Sequence, residues 1–227
     1  MRSILVTSLL LGSFLSIAQE RLFVWEQNIA VNYDHKKWDF NTTLGGRTTK
    51  EESVEEVKNS SLSFLEINQF ATTEVSSNKK LSIGYKYRVL EPQEKENLDE
   101  HRFTQQLAWT HSEEHKRVRL LSRFRLEQRV KTESFEHRYR YRFSADAPLN
   151  GEKLNVGEFY GVLSNELLYS SEEGDSSLDN RVTIGLGVRI SQIAKFQTDF
   201  TYRSENFSGD IENVPFLTTS LIFDFRD

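Results

Sequence analysis

The most constraining feature of this 227-residue sequence is a one-by-one alternation of apolar and polar residues that recurs almost to its end. Between residues 81 and 89, every odd position is Leu, Ile, Tyr or Val and every even position is Ser, Gly, Lys or Arg. Residues 135–143 repeat the pattern with Phe, His and Tyr against Glu and Arg. Because successive side chains of a strand point to opposite faces, this period predicts β-strands with one apolar and one polar face. No helical period competes over a comparable length, so we predict an all-β fold.

Two architectures contain such strands. A soluble sandwich hides the apolar faces between two sheets, whereas a membrane barrel turns them to lipid and keeps the polar faces in its lumen. The alternating stretches run for roughly 9 to 13 residues, as tilted membrane strands do, and their ends carry aromatic residues typical of interfacial girdles. These aromatic residues are Trp25, Tyr33, Trp38, Trp109, Tyr169, Tyr202 and Phe225. The pattern favours an antiparallel transmembrane β-barrel of the outer membrane; the alternative is a soluble periplasmic β-sandwich that acts as a binding module.

The first 18 residues are predicted to be a secretory signal peptide. Residues 1–3 give a short cationic start, residues 4–17 are apolar or small, and a small-x-small cleavage site ends at Ala18. We therefore predict a single barrel domain over residues 19–227, in the outer membrane of a Gram-negative bacterium. The sequence has no Cys, which excludes thiol chemistry, and its net charge of −5 gives no footprint for nucleic-acid binding.

The number of strands follows from the count of alternating stretches, which is about eleven. Because bacterial single-chain barrels have even numbers of strands, we predict ten or twelve. Polar connections separate the stretches, and their lengths predict long loops at one end of the barrel and short turns at the other. The long connections are 48–59, 91–100, 148–155, 170–179 and 207–213. The short ones are 76–78, 112–115 and 191–194.

A ladder of Arg residues on two consecutive stretches is the strongest candidate functional feature. If a tight turn joins these stretches, their polar positions face one lumen, where unopposed guanidinium groups would repel one another. Carboxylates of the same phase are expected to pair with them through forked contacts. The predicted lumen lattice consists of Arg119, Arg123, Arg125, Glu127, Arg129, Glu136, Arg138, Arg140, Arg142 and Glu166. It is either a structural plug that stiffens the barrel or a narrow anion-preferring channel for a small phosphate- or carboxylate-bearing solute.

An outer-membrane hydrolase with a site at the rim is the alternative function. Such an enzyme needs a nucleophile, a base and a group that orients the base. His101 and His137 share the phase of their apolar neighbours and are expected to point outward, so no Ser has a lumen-facing His beside it. The carboxylates of 51–56 and 172–175 are expected to be solvated, because calcium needs a converging cage of oxygens. The glycines of 185–187 are interpreted as close backbone approach beside bulky lumen Arg residues. We predict no enzyme, catalytic residue, metal or cofactor.

Several motifs resemble one known family. They are the secretory start, Trp25, the hairpin that ends in Gly45-Gly46-Arg47, the strand with His101-Arg102-Phe103, and the runs 123–129 and 138–142. The chain resembles, over essentially its whole mature length, the family inferred to be bacterial outer-membrane β-barrels and known as domain of unknown function 2490. The resemblance implies an outer-membrane barrel and no established activity or catalytic residue. The expected partners are outer-membrane lipid, the barrel-assembly machinery and a small anionic solute. One departure is that Phe225 is followed by Arg226 and Asp227, whereas outer-membrane barrels usually end on an aromatic residue.

Overall fold

A computed structural model describes residues 21–52, 61–93, 98–111, 117–132, 134–207 and 211–225. The predicted signal peptide and its cleavage site after Ala18 lie outside these residues. Within the described ranges the chain forms eleven β-strands and no helix. The strands are β1 (Arg21–His35), β2 (Trp38–Glu52), β3 (Ser61–Ser76), β4 (Lys79–Leu90), β5 (Leu98–Thr110), β6 (Arg119–Lys131), β7 (Phe135–Pro148), β8 (Phe159–Glu172), β9 (Asp175–Arg189), β10 (Ala194–Glu205) and β11 (Glu212–Phe225).

The strands form one sheet that closes into a barrel. Each strand pairs antiparallel with the next along the chain, and a parallel pairing of β1 with β11 closes the sheet, from Val24 opposite Phe216 to Tyr33 opposite Phe225. The predicted all-β outer-membrane type of barrel is confirmed, and the two-sheet sandwich is excluded. The count of about eleven alternating stretches is confirmed, and only its adjustment to an even number, ten or twelve, is wrong. The described residues form eleven strands, and an odd number requires the first and last strands to run in the same direction.

The alternation places apolar side chains outside the barrel and polar side chains inside it. Ile184 and Ile83 point outward and are 62% and 59% exposed, whereas Glu127 points inward and is 1% exposed. In a soluble protein, apolar side chains lie inside and polar side chains outside. A barrel surrounded by lipid has the opposite arrangement, as this barrel does. Among the residues that the structure describes, no helix is long and apolar enough to cross a membrane.

The barrel has two ends, which we call end A, where β2 connects to β3, and end B, where β1 connects to β2. End A also carries the connections 91–97, 132–134, 173–174 and 206–211. End B also carries the connections 77–78, 111–118, 149–158 and 190–193.

The predicted division into long loops and short turns is realised only in part. The long connection 149–158 lies at end B, beside the two-residue turns of β1–β2 and β3–β4. The predicted loop at 170–179 is instead a tight hairpin, because β8 continues to Glu172 and β9 begins at Asp175. Glu173 and Gly174 both have positive φ angles. Two such residues match the twist of the flanking strands, so the strands pair up to the turn itself.

Gly185 and Gly187 on β9 make room for inward side chains of neighbouring strands. A Cβ atom at Gly187 would overlap the ring of Tyr160, and one at Gly185 would overlap the carboxylate of Asp199. The interpretation that these glycines lie beside bulky Arg residues is therefore wrong. The side chains that cross them belong to β8 and β10, and they fill the interior toward end B.

We expect Gly187→Ala to lower the free energy of unfolding by about 1–3 kcal/mol, as overpacking of a filled interior does. The added methyl group displaces the Tyr160 ring, whose hydroxyl donates a 2.8 Å hydrogen bond to Gln197. Gly161→Ala is the matched control, because a Cβ atom there meets only Leu149, at 3.4 Å. Urea midpoints of the refolded variants measure both effects, and equal midpoints would show that Tyr160 does not depend on the glycine.

Candidate functional site

The inward faces of β5 to β8 carry a continuous network of ion pairs. Its main path runs through Glu136, Arg129, Glu100, Arg102, Glu127, Arg140 and Glu166, each bonded to the next at 2.5–3.5 Å. Four further arginines branch from it: Arg123 and Arg142 donate to Glu166, Arg125 donates to Glu127, and Arg138 donates to Glu136. We call these residues the arginine–glutamate lattice.

Each lattice glutamate is buried and holds two or more arginines. Glu166 is 1% exposed and accepts hydrogen bonds from Arg123 at 2.9 Å, Arg140 at 2.6 Å and Arg142 at 3.0 Å. The register explains this sharing, because Arg123 lies directly opposite Arg142 across the β6–β7 pair. Like charges opposite each other destabilise a sheet, so a glutamate on the next strand has to neutralise both.

All the residues predicted for the lumen lattice lie in this network except Arg119. Arg119 has the inward phase, but β6 begins at this residue, at end B. Its side chain is 64% exposed and pairs with Asp146 at 3.0 Å. The placement of Arg119 in the lattice is therefore corrected, because the alternation assigns a residue to a face of the sheet and not to a depth in the barrel.

Several interior charges were not among the predicted site residues. Glu100 and Arg102 of β5 belong to the lattice, and smaller clusters line the other strands. In one cluster Glu66 pairs with Lys86 and with Arg88; in the other, Glu26 pairs with Arg47 at 2.5 Å and with Arg203 at 3.3 Å. All of them occupy polar positions of alternating stretches, and this pattern could have been used to predict that they point into the barrel. Their partners depend on which strands become neighbours when the barrel closes.

The lattice forms one wall of a central cavity of about 460 Å³. Within the described part of the chain, eleven Lys and Arg side chains line this cavity, against four carboxylates. The four glutamates of the lattice lie behind the arginines, and counting them still leaves the cations in excess. Since the whole chain carries a net charge of −5, the cavity has the opposite sign from the protein.

The cavity shares lining residues with a pocket at end A and none with a pocket of about 280 Å³ at end B. A pocket of about 450 Å³ at end A shares Arg129 and Arg138 with the cavity lining. Toward end B, Arg125 donates two hydrogen bonds to Gln106, at 2.6 and 3.0 Å, and lies over the ring of Phe70. Together with Tyr160, these side chains lie in the lumen on the end-B side of the cavity. The lining that the cavity shares with the end-A pocket favours entry of an anion from end A.

The described histidines lie outside the lumen. His101 is hydrogen-bonded to Tyr85 on the outer face, and His137 packs on the edge of the Phe135 ring, in agreement with their predicted outward direction. His111, at the end-B edge of the outer face, lies 2.7 Å from the hydroxyl of Ser122.

Within the described part of the chain, no further group of a hydrolase site accompanies the pair of His111 and Ser122. Ser122 is also 3.1 Å from the Tyr141 hydroxyl, and its strand is paired on both sides, so its backbone N–H belongs to the sheet. Among the described residues, His111 has no carboxylate partner to orient it. The same residues contain no group of three or more His, Asp or Glu side chains placed to hold a metal ion. Most of the acidic stretch 51–56 lies outside them.

Comparisons with known proteins agree with the barrel. A family profile described as "Protein of unknown function (DUF2490)" matches residues 24–214, and this match confirms the resemblance stated from the motifs. Among solved structures, the outer-membrane barrel LpxR from Salmonella typhimurium is similar with a TM-score of 0.53 and 10% sequence identity, over 81% of this chain and 83% of that chain. At this identity the similarity shows the fold alone. No curated protein matches the sequence.

Proposed function

The chain belongs to the family described as a protein of unknown function (DUF2490), and we propose that it is an outer-membrane barrel that takes small anionic solutes into its interior. The observation that carries this proposal is the excess of cations around the central cavity. The described lining holds eleven cations against four carboxylates, and the excess remains when the four lattice glutamates behind the arginines are counted. Cationic side chains held close together in a confined space attract anions strongly, because the low-dielectric walls focus their field.

The outer-membrane location is supported by the outer face of the barrel. Large apolar side chains cover that face, and a membrane is the surrounding that stabilises them. The fold that the chain shares with LpxR supports the same location.

The lattice and the cavity have complementary roles in this proposal. Four buried glutamates hold the arginines of β5–β8 in fixed positions, so the wall does not collapse into the cavity. Arginine suits this task because its planar guanidinium group stays charged and can contact a glutamate with one edge and a solute with another. The filling by Phe70, Gln106 and Tyr160 favours a solute pocket with its mouth at end A over a wide open pore.

Titration of the refolded full-length barrel with sodium sulfate, at constant ionic strength, tests the proposal. We expect Arg142→Gln to weaken sulfate binding about three- to tenfold, because it removes one cation that faces the cavity. The fold should survive, since Glu166 keeps Arg123 and Arg140 as partners.

Arg119→Gln is the matched control, because it makes the same chemical change on β6 at the exposed rim. Sulfate affinity should then stay within about twofold of the original. Absence of measurable sulfate binding by the unchanged barrel, or equal weakening by both variants, would contradict the proposal.

A further inference from the structure

Arg181 of β9 and Arg203 of β10 form a pair of interior cations with long ion-pair contacts, 3.9 Å to Asp179 and 3.3 Å to Glu26. The two residues lie directly opposite each other in the register and point into the cavity. Their side chains are only 13% and 12% exposed. Two buried like charges in this arrangement destabilise a sheet unless an anion lies between them.

Among the described residues, carboxylates neutralise this pair only in part. Glu205 also lines the cavity, but it forms no ion pair with either arginine. The nearest one to Arg181 is Asp179, at 3.9 Å, and Asp179 already accepts a hydrogen bond from the backbone of Asn206. Glu166 lies opposite Arg181 in the register, but it is occupied by three arginines of β6 and β7. Arg203 reaches Glu26 with one nitrogen at 3.3 Å, and Arg47 holds the same oxygen more closely, at 2.5 Å.

Unused hydrogen-bond donors remain on both residues. The Nε atoms of Arg181 and Arg203 are buried and have no hydrogen-bond partner among the described residues. A buried N–H group without an acceptor destabilises the fold. The Nε atoms of Arg123 and Arg140 are also unpartnered, but glutamates hold both of these guanidinium groups at 2.6–2.9 Å. The unpartnered Nε atoms of Arg181 and Arg203 therefore indicate a missing acceptor beside the cavity. The guanidinium of Arg203 lies 3.4 Å from the centre of the Phe216 ring, which fixes its plane.

Two hydroxyl groups stand next to the arginines in the same cavity. Thr183 lies two residues after Arg181, and Thr201 lies two residues before Arg203, on the same inward faces. The oxygens of the two threonines are 2.9 Å apart. Each hydroxyl can donate one hydrogen bond, and only one of the two is used between them. The site thus combines two guanidinium forks with a free hydroxyl donor.

We infer that Arg181, Arg203 and the Thr183–Thr201 hydroxyls bind a phosphoryl group, either as free phosphate or at one end of a small phosphomonoester. This inference rests on the proposed function and names the class of anion. A phosphoryl group has three terminal oxygens and a charge of about −1.5 to −2, which matches two cations and several donors. A carboxylate has two oxygens and a single charge, and it leaves donors unsatisfied.

Titration of the refolded full-length barrel with inorganic phosphate tests the inference, with acetate and glycerol phosphate as comparison probes. We expect Arg181→Gln and Arg203→Gln each to weaken phosphate binding about tenfold or more, since each removes a charge-assisted hydrogen bond. Acetate should bind at least about tenfold more weakly than phosphate. Tighter binding of glycerol phosphate than of phosphate identifies a phosphomonoester as the solute, and the reverse order identifies free phosphate.

Arg181→Lys covers the case in which Arg181→Gln does not fold. It keeps the positive charge and loses the fork, so phosphate affinity should still fall several-fold. If phosphate binds Arg181→Lys and Arg203→Gln as tightly as it binds the original barrel, this site is overturned. The proposal that the interior binds anions would still stand. Binding of acetate as tight as that of phosphate would overturn the phosphoryl class. Failure of every anion to bind would remove the proposed function itself.

Discussion

Replacing Glu166 with Gln is expected to lower the free energy of unfolding of the barrel by about 3–5 kcal/mol, as the loss of one partner from a buried ion pair does. The substitution keeps the size of the side chain and removes its charge. Arg123, Arg140 and Arg142 would then face one another without the carboxylate that they share. Of these three, among the described residues, only Arg140 retains a second glutamate, Glu127, at 2.8 Å.

Asp146→Asn is the control for this measurement. Asp146 forms an ion pair with Arg119 at the exposed end of β6 and β7, the strands that carry the three arginines. An exposed pair contributes about 0–1 kcal/mol, so the control should change the urea midpoint only slightly. Both variants can be refolded in detergent and followed by tryptophan fluorescence during urea unfolding. Equal midpoint shifts for Glu166→Gln and Asp146→Asn would show that the buried lattice does not stiffen the barrel.

The second large effect is expected on the outer face. Ile184 of β9 is 62% exposed and lies between Leu163 and Phe200 of the adjacent strands. In a water-soluble protein, an Arg at such an exposed position would be nearly neutral. In a membrane barrel, Ile184→Arg should cost about 2–4 kcal/mol, because the charge is placed in the hydrocarbon layer.

Ile190→Arg is the control that distinguishes the cost of placing a charge in lipid from a general effect of replacing Ile with Arg. Ile190 is 53% exposed, but it follows β9 in the connection at end B, where a charge reaches water. Folding into lipid vesicles, read from the gel mobility shift on heating, should fail or weaken for Ile184→Arg and proceed for Ile190→Arg. Normal folding of both variants, together with their recovery in a soluble fraction, would contradict the membrane location.

The strands and their faces could be predicted from the sequence because period two is a local property. The stretch 81–89 becomes most of β4, and 135–143 becomes most of β7, with the predicted residues outside. Counting these stretches gave about eleven strands, but the choice between an odd and an even number could not be made in this way. It depends on whether β1 and β11 meet in a parallel or an antiparallel sense, and that pairing joins distant segments that no local pattern connects. The hairpin at Glu173 and Gly174 was missed because its polar composition also fits a loop.

The candidate site could be predicted only as a set of residues that share a face. The alternation correctly placed most of the Arg and Glu residues of β6 and β7 on the inward face. It does not show how far a residue lies from the end of the barrel, so Arg119 was grouped with Arg125. Arg181 and Arg203 belong to other strands, and their polar positions gave no indication that they would face one cavity with the lattice. The excess of cations appears only when the inward residues of all strands are brought together.

The parallel seam between β1 and β11 also constrains how the barrel assembles. Val24 pairs with Phe216, so the closing contacts join segments separated by nearly the whole described chain. Contacts between such distant segments form slowly, because the entropy of ordering the intervening chain opposes them. Until β11 arrives, β1 and β10 are open edges, and open edges promote aggregation. The fourteen residues of β11 therefore end the aggregation-prone stage of folding, and the chain needs protection from self-association until they are in place.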